Sequence, residues 1–210
     1  MTALIELQFL PPVQYFTKLL QSEAIVLEQW EHYQKRSYRN RCHIADSHGV
    51  QRLSIPLMKG KNQQLPIRQV RIAYDQPWQK QMTHTIRTAY HRAPFFDDYG
   101  PDLLDILNRE HTFLFDLNLE LQEQINRFLG ISPTLSFTET YSPIPGPGQT
   151  DLRNAIRPVH PPEDPHFKPS FYNQVFEDKH GFSPNLSIID LLFCMGPEAL
   201  TVLRASSVFP

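Results

Sequence analysis

Two short apolar runs on either side of a helical repeat, all within the first twenty-eight residues, constrain this chain more than anything that follows. Ala3 to Phe9 alternates around Leu4, Ile5, Leu7 and Phe9 and reads as a strand, which Leu10-Pro11-Pro12 ends. Val13, Tyr15-Phe16 and Leu19-Leu20 then recur at helical spacing, and Ala24-Ile25-Val26-Leu27-Glu28 is again of strand length. A strand, helix, strand unit this short favours two parallel strands joined by a right-handed crossover. Ligands of open α/β sheets sit beyond the carboxyl ends of the strands. Glu28 and the loop Leu10 to Gln14 fall at that edge, so Glu28 is a candidate catalytic group, with a solvated strand terminus as the plain alternative.

The next feature is a charge contrast. Tyr33 to Ile44 holds four cations (Lys35, Arg36, Arg39 and Arg41) and no acid, in a chain of net charge -2. Read as the first strand of a hairpin, it places Arg39, Arg41 and His43 on one face and Tyr38, Asn40, Cys42 and Ile44 on the other. Arginine forks match phosphate or carboxylate oxygens, so the first face reads as an anion-binding surface or as an ordinary solvated strand face. Glu28, Tyr33, Lys35, Arg39, Asn40 and Arg41 form a polar constellation close to a strand edge.

Asp46-Ser47-His48-Gly49 supplies turn chemistry, and Leu53, Ile55 and Leu57 mark the returning strand, which Pro56 ends or keeps at an edge. Ile67 to Tyr74 reads as a further strand. Asp75 as N-cap and Pro77 in the first turn open a helix whose apolar face is Trp78, Met82, Thr85-Ile86 and Ala89-Tyr90, with His84 off that face. Ala93 to Pro101 reads as a loop carrying Phe95, Phe96 and Tyr99 beside two acids. It is either anchored by its rings or a stacking platform for a sugar or base. A short helix around Leu103 to Leu107 and a longer one from Phe113 to Gly130 follow, then a strand over Thr134 to Thr140. Tyr141 to Ser170 contains eight of the 19 prolines and reads as an irregular arm, within which Asp151-Leu152-Arg153 is a charged island able to order over a ligand. Phe171 to Phe176 reads as a strand. Ser187 to Asp190 reads as a capping box opening a last helix, which Gly196-Pro197 interrupts.

The fold expected is therefore α/β: a single domain with a mixed β-sheet, a helical layer over residues 77–129 and a long proline-rich arm over 141–170. With 210 residues there is enough chain for one sizeable core. No apolar run approaches the ~20 residues that span a bilayer, so no membrane insertion is expected, and a cytoplasmic location is the default. The two cysteines, Cys42 and Cys194, have no metal-ligand spacing, and no metal or cofactor is expected. Alternation turns Cys42 and His43 to opposite sides, which argues against a nucleophile and base pair.

Several separate blocks resemble one family. They are Pro-Pro-Val-Gln-Tyr-Phe at 11 to 16, Glu28 with Tyr33-Gln34-Lys35 and Tyr38-Arg39-Asn40-Arg41, Leu53-Ser54-Ile55-Pro56, and Ala89-Tyr90 with Pro94-Phe95-Phe96. Leu117-Asn118, Tyr172 to Phe176 and Pro184 to Phe193 complete the series. In order they look like the WbqC-like family, in the version typical of Bacteroidetes, over nearly the whole chain. The resemblance implies a role in surface-polysaccharide synthesis: acyl or aminoacyl (glycine-type) transfer to the amine of a nucleotide-activated amino sugar, a small-molecule substrate. On that reading Arg39 and Arg41 hold the diphosphate, Tyr90 or Phe95 stacks on base or sugar, and Glu28 or His84 accepts the proton. Gln14, Tyr15, Asn118, Asp151 and Arg153 complete the substrate-binding set. One departure matters. The family pattern places an aromatic and a histidine after Trp78 where this chain has Met82 and Thr83, so a family base there would be His84 or be missing. The alternatives are a non-catalytic module binding a sugar nucleotide or a partner protein and, disfavoured because the basic stretch is short, nucleic-acid binding. The donor, the acceptor sugar and the oligomeric state are not legible.

Overall fold

The strand, helix, strand unit forms as its pattern requires. In a computed structural model that describes residues 1–209, β1 (Thr2–Glu6), α1 (Val13–Gln21) and β2 (Ala24–Glu28) follow in order, and the two strands pair in parallel from Thr2↔Ala24 to Glu6↔Glu28. Alternation turns Ala3, Ile5, Ile25 and Leu27 into the core, each 1% exposed or less. The opposite face carries Leu4, Val26, Glu6 and Glu28.

Between Tyr33 and Ile44 the structure departs from simple alternation. Tyr38–Asn40 is a 3-10 turn, with the Ser37 hydroxyl accepting from the Arg39 amide, and only at Arg41 does β3 (Arg41–Asp46) begin. It pairs antiparallel with β4 (Gly49–Ser54) across a turn where Gly49 takes φ +115°. Arg39 is consequently not on the hairpin's outer face; it is 1% exposed and points inward.

The helical layer is α2 (Trp78–Tyr90), α3 (Phe96–Asn108) and α4 (Leu114–Leu129), the last closed by Gly130 at φ 64°. The α2 N-cap is Pro77, with no side-chain cap bond, so Asp75 does not take that role. The aromatic stretch read as a loop belongs largely to α3. Pro101 lies inside that helix, and Gly100 lets the Phe96 ring lie where a Cβ would be 2.8 Å from it. Ile67 to Tyr74 is not a strand: a 3-10 turn over Ile67–Gln69 leads to isolated bridges, Leu57↔Ile72 and Arg71↔Phe113. Val70 and Ile72 are buried all the same, so the alternation reported burial without a ladder.

β5 (Thr134–Phe137) joins the free edge of β2. The proline-rich arm contributes β6 (Gln149–Asp151) to the free edge of β1, giving a sheet of order β5-β2-β1-β6 with every pair parallel. The architecture is α/β, with parallel and antiparallel strands segregated into two sheets instead of mixed in one. After the arm, α5 (Glu177–His180), α6 (Ile188–Met195) and α7 (Ala199–Ser206) complete the chain. Phe171 to Phe176 is irregular, because Tyr172 and Gln174 are drawn to the buried Asp190. The capping box does not form either: the Ser187 hydroxyl donates to the Leu10 carbonyl at 2.7 Å, and the Asp190 carboxylate receives Tyr90, Tyr172 and Gln174.

Candidate functional site

The carboxyl ends of the parallel strands meet the arm at a cleft of about 630 Å³. Its floor and one wall come from the segment after β2, with Trp30, Glu31, Tyr33 and Lys35. The facing wall is the arm, with Tyr141, Asp151, Arg153 and Asn154. Alternation delivers Glu6 and Glu28 to this edge on one face of the sheet, and both are buried.

Buried carboxylates need partners, and two arginines provide them. Arg39 holds Glu31 bidentately, Nε to Oε1 at 2.7 Å and Nη2 to Oε2 at 2.6 Å, and its Nη1 lies 3.8 Å from Glu6 Oε1. The same Nη2 donates to Asn154 Oδ1 at 3.0 Å. A guanidinium has no acceptor, so the Asn154 atom beside it is the oxygen, and its Nδ2 keeps both hydrogens, with no acceptor among the described residues. Asn154 takes φ 60°, a left-handed conformation that asparagine tolerates better than most residues. Its backbone N–H is fixed by Glu6 Oε2 at 2.9 Å. Gln8 donates to the other Glu6 oxygen at 2.8 Å.

Arg153 is fully committed. Its five donors reach Asp151 twice (2.9 and 2.7 Å), Glu28 at 3.1 Å, and the carbonyls of Ser142 and Pro143. Glu28 Oε1 accepts from the Trp30 amide and the Thr138 hydroxyl, each at 2.8 Å. Glu28 and Arg153 therefore clamp the arm to the sheet and leave no donor over. Glu31 is different: it lines the cleft at 4% exposure, and burial pushes its carboxyl up to about 7, against the pull of Arg39 and with added repulsion from Glu6. The Arg153 ion pair and hydrogen bonds hold Asp151 below the usual carboxylate range.

Of the residues expected at the site, Tyr33, Lys35, Asp151 and Arg153 line the cleft, and Glu28 and Arg39 stand directly behind its walls. Asn40 supports Tyr33 by accepting its hydroxyl at 2.9 Å. Asn118 donates to the Arg39 carbonyl at 2.8 Å, and Tyr15 to the Glu6 carbonyl at 3.2 Å. Arg41 is on the hairpin outside the cleft. The remaining four are elsewhere. Tyr90 is fully buried and donates to Asp190 at 2.7 Å, and Phe95 packs over Gly196. Gln14 binds Asp164 at 2.7 Å, and His84 is exposed on α2. Sequence reasoning missed Glu6, Trp30, Glu31, Tyr141 and Asn154. Glu6 carried the same strand-end signal as Glu28; Glu31, in an aperiodic segment, carried none.

Both thiols are buried, and burial raises them well above the usual range, so neither supplies a thiolate nucleophile. Among the described residues no cluster of three or more His, Cys, Asp or Glu is placed to hold a metal ion, and no helix is long and apolar enough to cross a membrane.

The model of the WbqC-like protein family matches residues 8–157, a span that contains every residue lining the cleft and ends just after the arm's last contribution, Asn154. A Mycobacterium tuberculosis (strain ATCC 25618 / H37Rv) protein named "Uncharacterized protein Rv1507c" is 28% identical, with 96% of each chain covered. No solved structure matches.

Proposed function

The chain belongs to the WbqC-like protein family, and on that footing we propose that its cleft carries acyl or aminoacyl transfer to the amine of a nucleotide-activated amino sugar in surface-polysaccharide assembly. One observation carries the proposal: the buried Glu31 carboxylate lines the cleft, gripped by a guanidinium that also orients a hydrogen-bond donor beside it, and its burial pushes its pKa up to about 7. An amine attacks an acyl carbon only when a lone pair is available, and a base poised near neutral pH suits that task. Glu31 takes one proton from the amine nitrogen as the C–N bond forms. It passes that proton to the leaving group as the bond between acyl carbon and leaving group breaks. Amine and acyl ester thus become amide and protonated leaving group. Asn154 Nδ2 donates to the carbonyl oxygen, where negative charge develops. Trp30 and Tyr141 offer aromatic surfaces to sugar or base, and Lys35 adds a cation at the wall.

Glu31 thereby takes the part first considered for Glu28 and His84. Glu31 lines the cleft, whereas neither Glu28 nor His84 does. A second reading, a non-catalytic module that binds a sugar nucleotide or a partner, is supported by the closure of the Glu28, Arg153 and Asp151 set on itself. A thermal-shift panel of nucleoside diphosphate sugars, followed by mass spectrometry with acyl thioesters, separates the two. Stabilisation with an acylated product that Glu31→Gln abolishes supports transfer; stabilisation without product supports the module; no stabilisation removes both.

A further inference from the structure

The hairpin retains part of the cationic face legible in the sequence, with different members. Arg41 and His43 on β3 share a face with Arg52 and Ser54 on β4; His43 stands opposite Arg52 and Arg41 opposite Ser54. Arg39 has left this face for the interior, and Arg36, just before the 3-10 turn, has joined the surroundings of Arg41. Among the described residues none of Arg36, Arg41 and Arg52 has a carboxylate within ion-pairing distance, although the chain as a whole is slightly acidic.

Like charges gathered without a counter-charge repel one another. Arg41 is pushed below the usual arginine range by burial, with Arg52 and Arg36 adding to the effect, and His43 by burial, Arg41 and Arg52. A second, independent sign comes from hydrogen bonding: the Arg41 Nε is shut off from solvent and has no acceptor among the described residues. A charged donor left unmatched in this way costs stability unless something fills it. The neighbouring guanidinium groups that do reach solvent, those of the exposed Arg36 and Arg52, can supply the charge-assisted donors a phosphate needs, and a bound anion offsets the cost of gathering these cations around Arg41.

We propose that Arg41, Arg52 and Arg36, with His43, form a seat for a phosphate or diphosphate group. The seat lies next to the cleft along the chain: Tyr33 lines the cleft and donates its hydroxyl at 2.9 Å to Asn40, the residue before Arg41. Where the transfer reading of the cleft holds, the seat takes the diphosphate of the sugar nucleotide and frees Arg39 from that duty, but its own existence does not depend on any reaction. Arg52 is exposed, so its loss leaves the fold intact.

The test is calorimetric titration with inorganic pyrophosphate at low and raised salt, on the wild type, Arg52→Gln, Arg41→Gln and, as a remote control, Lys80→Gln on α2. Binding by the wild type that weakens with salt, falls about tenfold in Arg52→Gln and Arg41→Gln and is unchanged in Lys80→Gln supports the seat. Absence of pyrophosphate binding to the wild type, undiminished affinity in Arg52→Gln, or preference for a short RNA over pyrophosphate overturns it. A wild type that binds pyrophosphate at the seat yet acylates no sugar nucleotide leaves the seat standing and removes the transfer reading.

Discussion

Glu6 and Glu28 face each other rung to rung at the last pair of the two central strands, both 1% exposed or less, and each is answered by the proline-rich arm. The Asn154 amide meets Glu6, and the Arg153 side chain meets Glu28. The arm is thus attached to the sheet by charge as well as by the short β6 ladder, and the clamp should be measurable.

Arg153→Ala is expected to destabilise the protein by about 3 kcal/mol, because it strands a fully buried carboxylate. For a chain of this size that corresponds to a melting point lowered by about 10 °C. Adding Glu28→Gln removes the orphaned charge and is expected to restore more than half of the loss. Calorimetry on the single and double variants checks it, and a change below about 0.5 kcal/mol in Arg153→Ala rules the clamp out.

Glu31 gives a pH dependence with a definite sign. Its folded pKa of about 7 lies above the ordinary 4.5, so the folded state holds a proton that the unfolded chain has released. The associated stability is fully present below about 4.5 and is lost as pH rises through 7. Melting points at pH 5 and pH 8 are expected to show this decline in the wild type and a flatter profile in Glu31→Gln. Transfer activity should rise over the same interval, as the base becomes free.

Tyr90 belongs to the core and not to the cleft. Tyr90→Phe takes one of three donors from the buried Asp190 carboxylate and is expected to cost about 1–3 kcal/mol. Gly196→Ala drives a Cβ to 2.5 Å from the Phe95 ring at a backbone φ of 51° and is expected to cost at least as much. Both variants should lower the melting point and leave the affinity of any cleft ligand unchanged, which the thermal-shift panel measures directly.

His84→Ala is expected to be silent, within about 0.5 kcal/mol in stability and without effect on product formation. A large loss of activity would return the histidine to the catalytic set.

What could be read from the sequence follows from how locally each feature is determined. The strand, helix, strand unit and the stop at Gly130 were legible because period and turn chemistry sit within a few residues of one another. Ile67 to Tyr74 alternates yet lacks a partner strand, and alternation marks burial whether or not a ladder exists; Phe171 to Phe176 reads as a strand but is irregular around Asp190. Arg39 was misplaced because a three-residue 3-10 turn resets the alternation before β3, and no residue in Tyr38-Arg39-Asn40 announces it. Gln149-Thr150-Asp151 has no apolar signal at all; the open edge of β1 makes it a strand. The site suffers most from this. Five of the cleft's twelve lining residues come from the arm, and the pairings that hold it, such as Gln8 with Ile156 and Asn154 with Glu6, join residues 148 positions apart.

That separation has a kinetic meaning. The sheet's first pair closes over about twenty residues, but the rung where Leu152 donates to the Leu4 carbonyl waits for most of the chain to be synthesised. Until then Glu6 and Glu28 stand on a finished strand pair without the arm groups that answer them, and water solvates their charge. Closing the arm is in that sense a dehydration step: it strips water from the carboxylates, and burial raises the pKa of Glu31. A nascent chain stopped before residue 149 lacks Asp151, Arg153 and Asn154, and with them most of the cleft's facing wall.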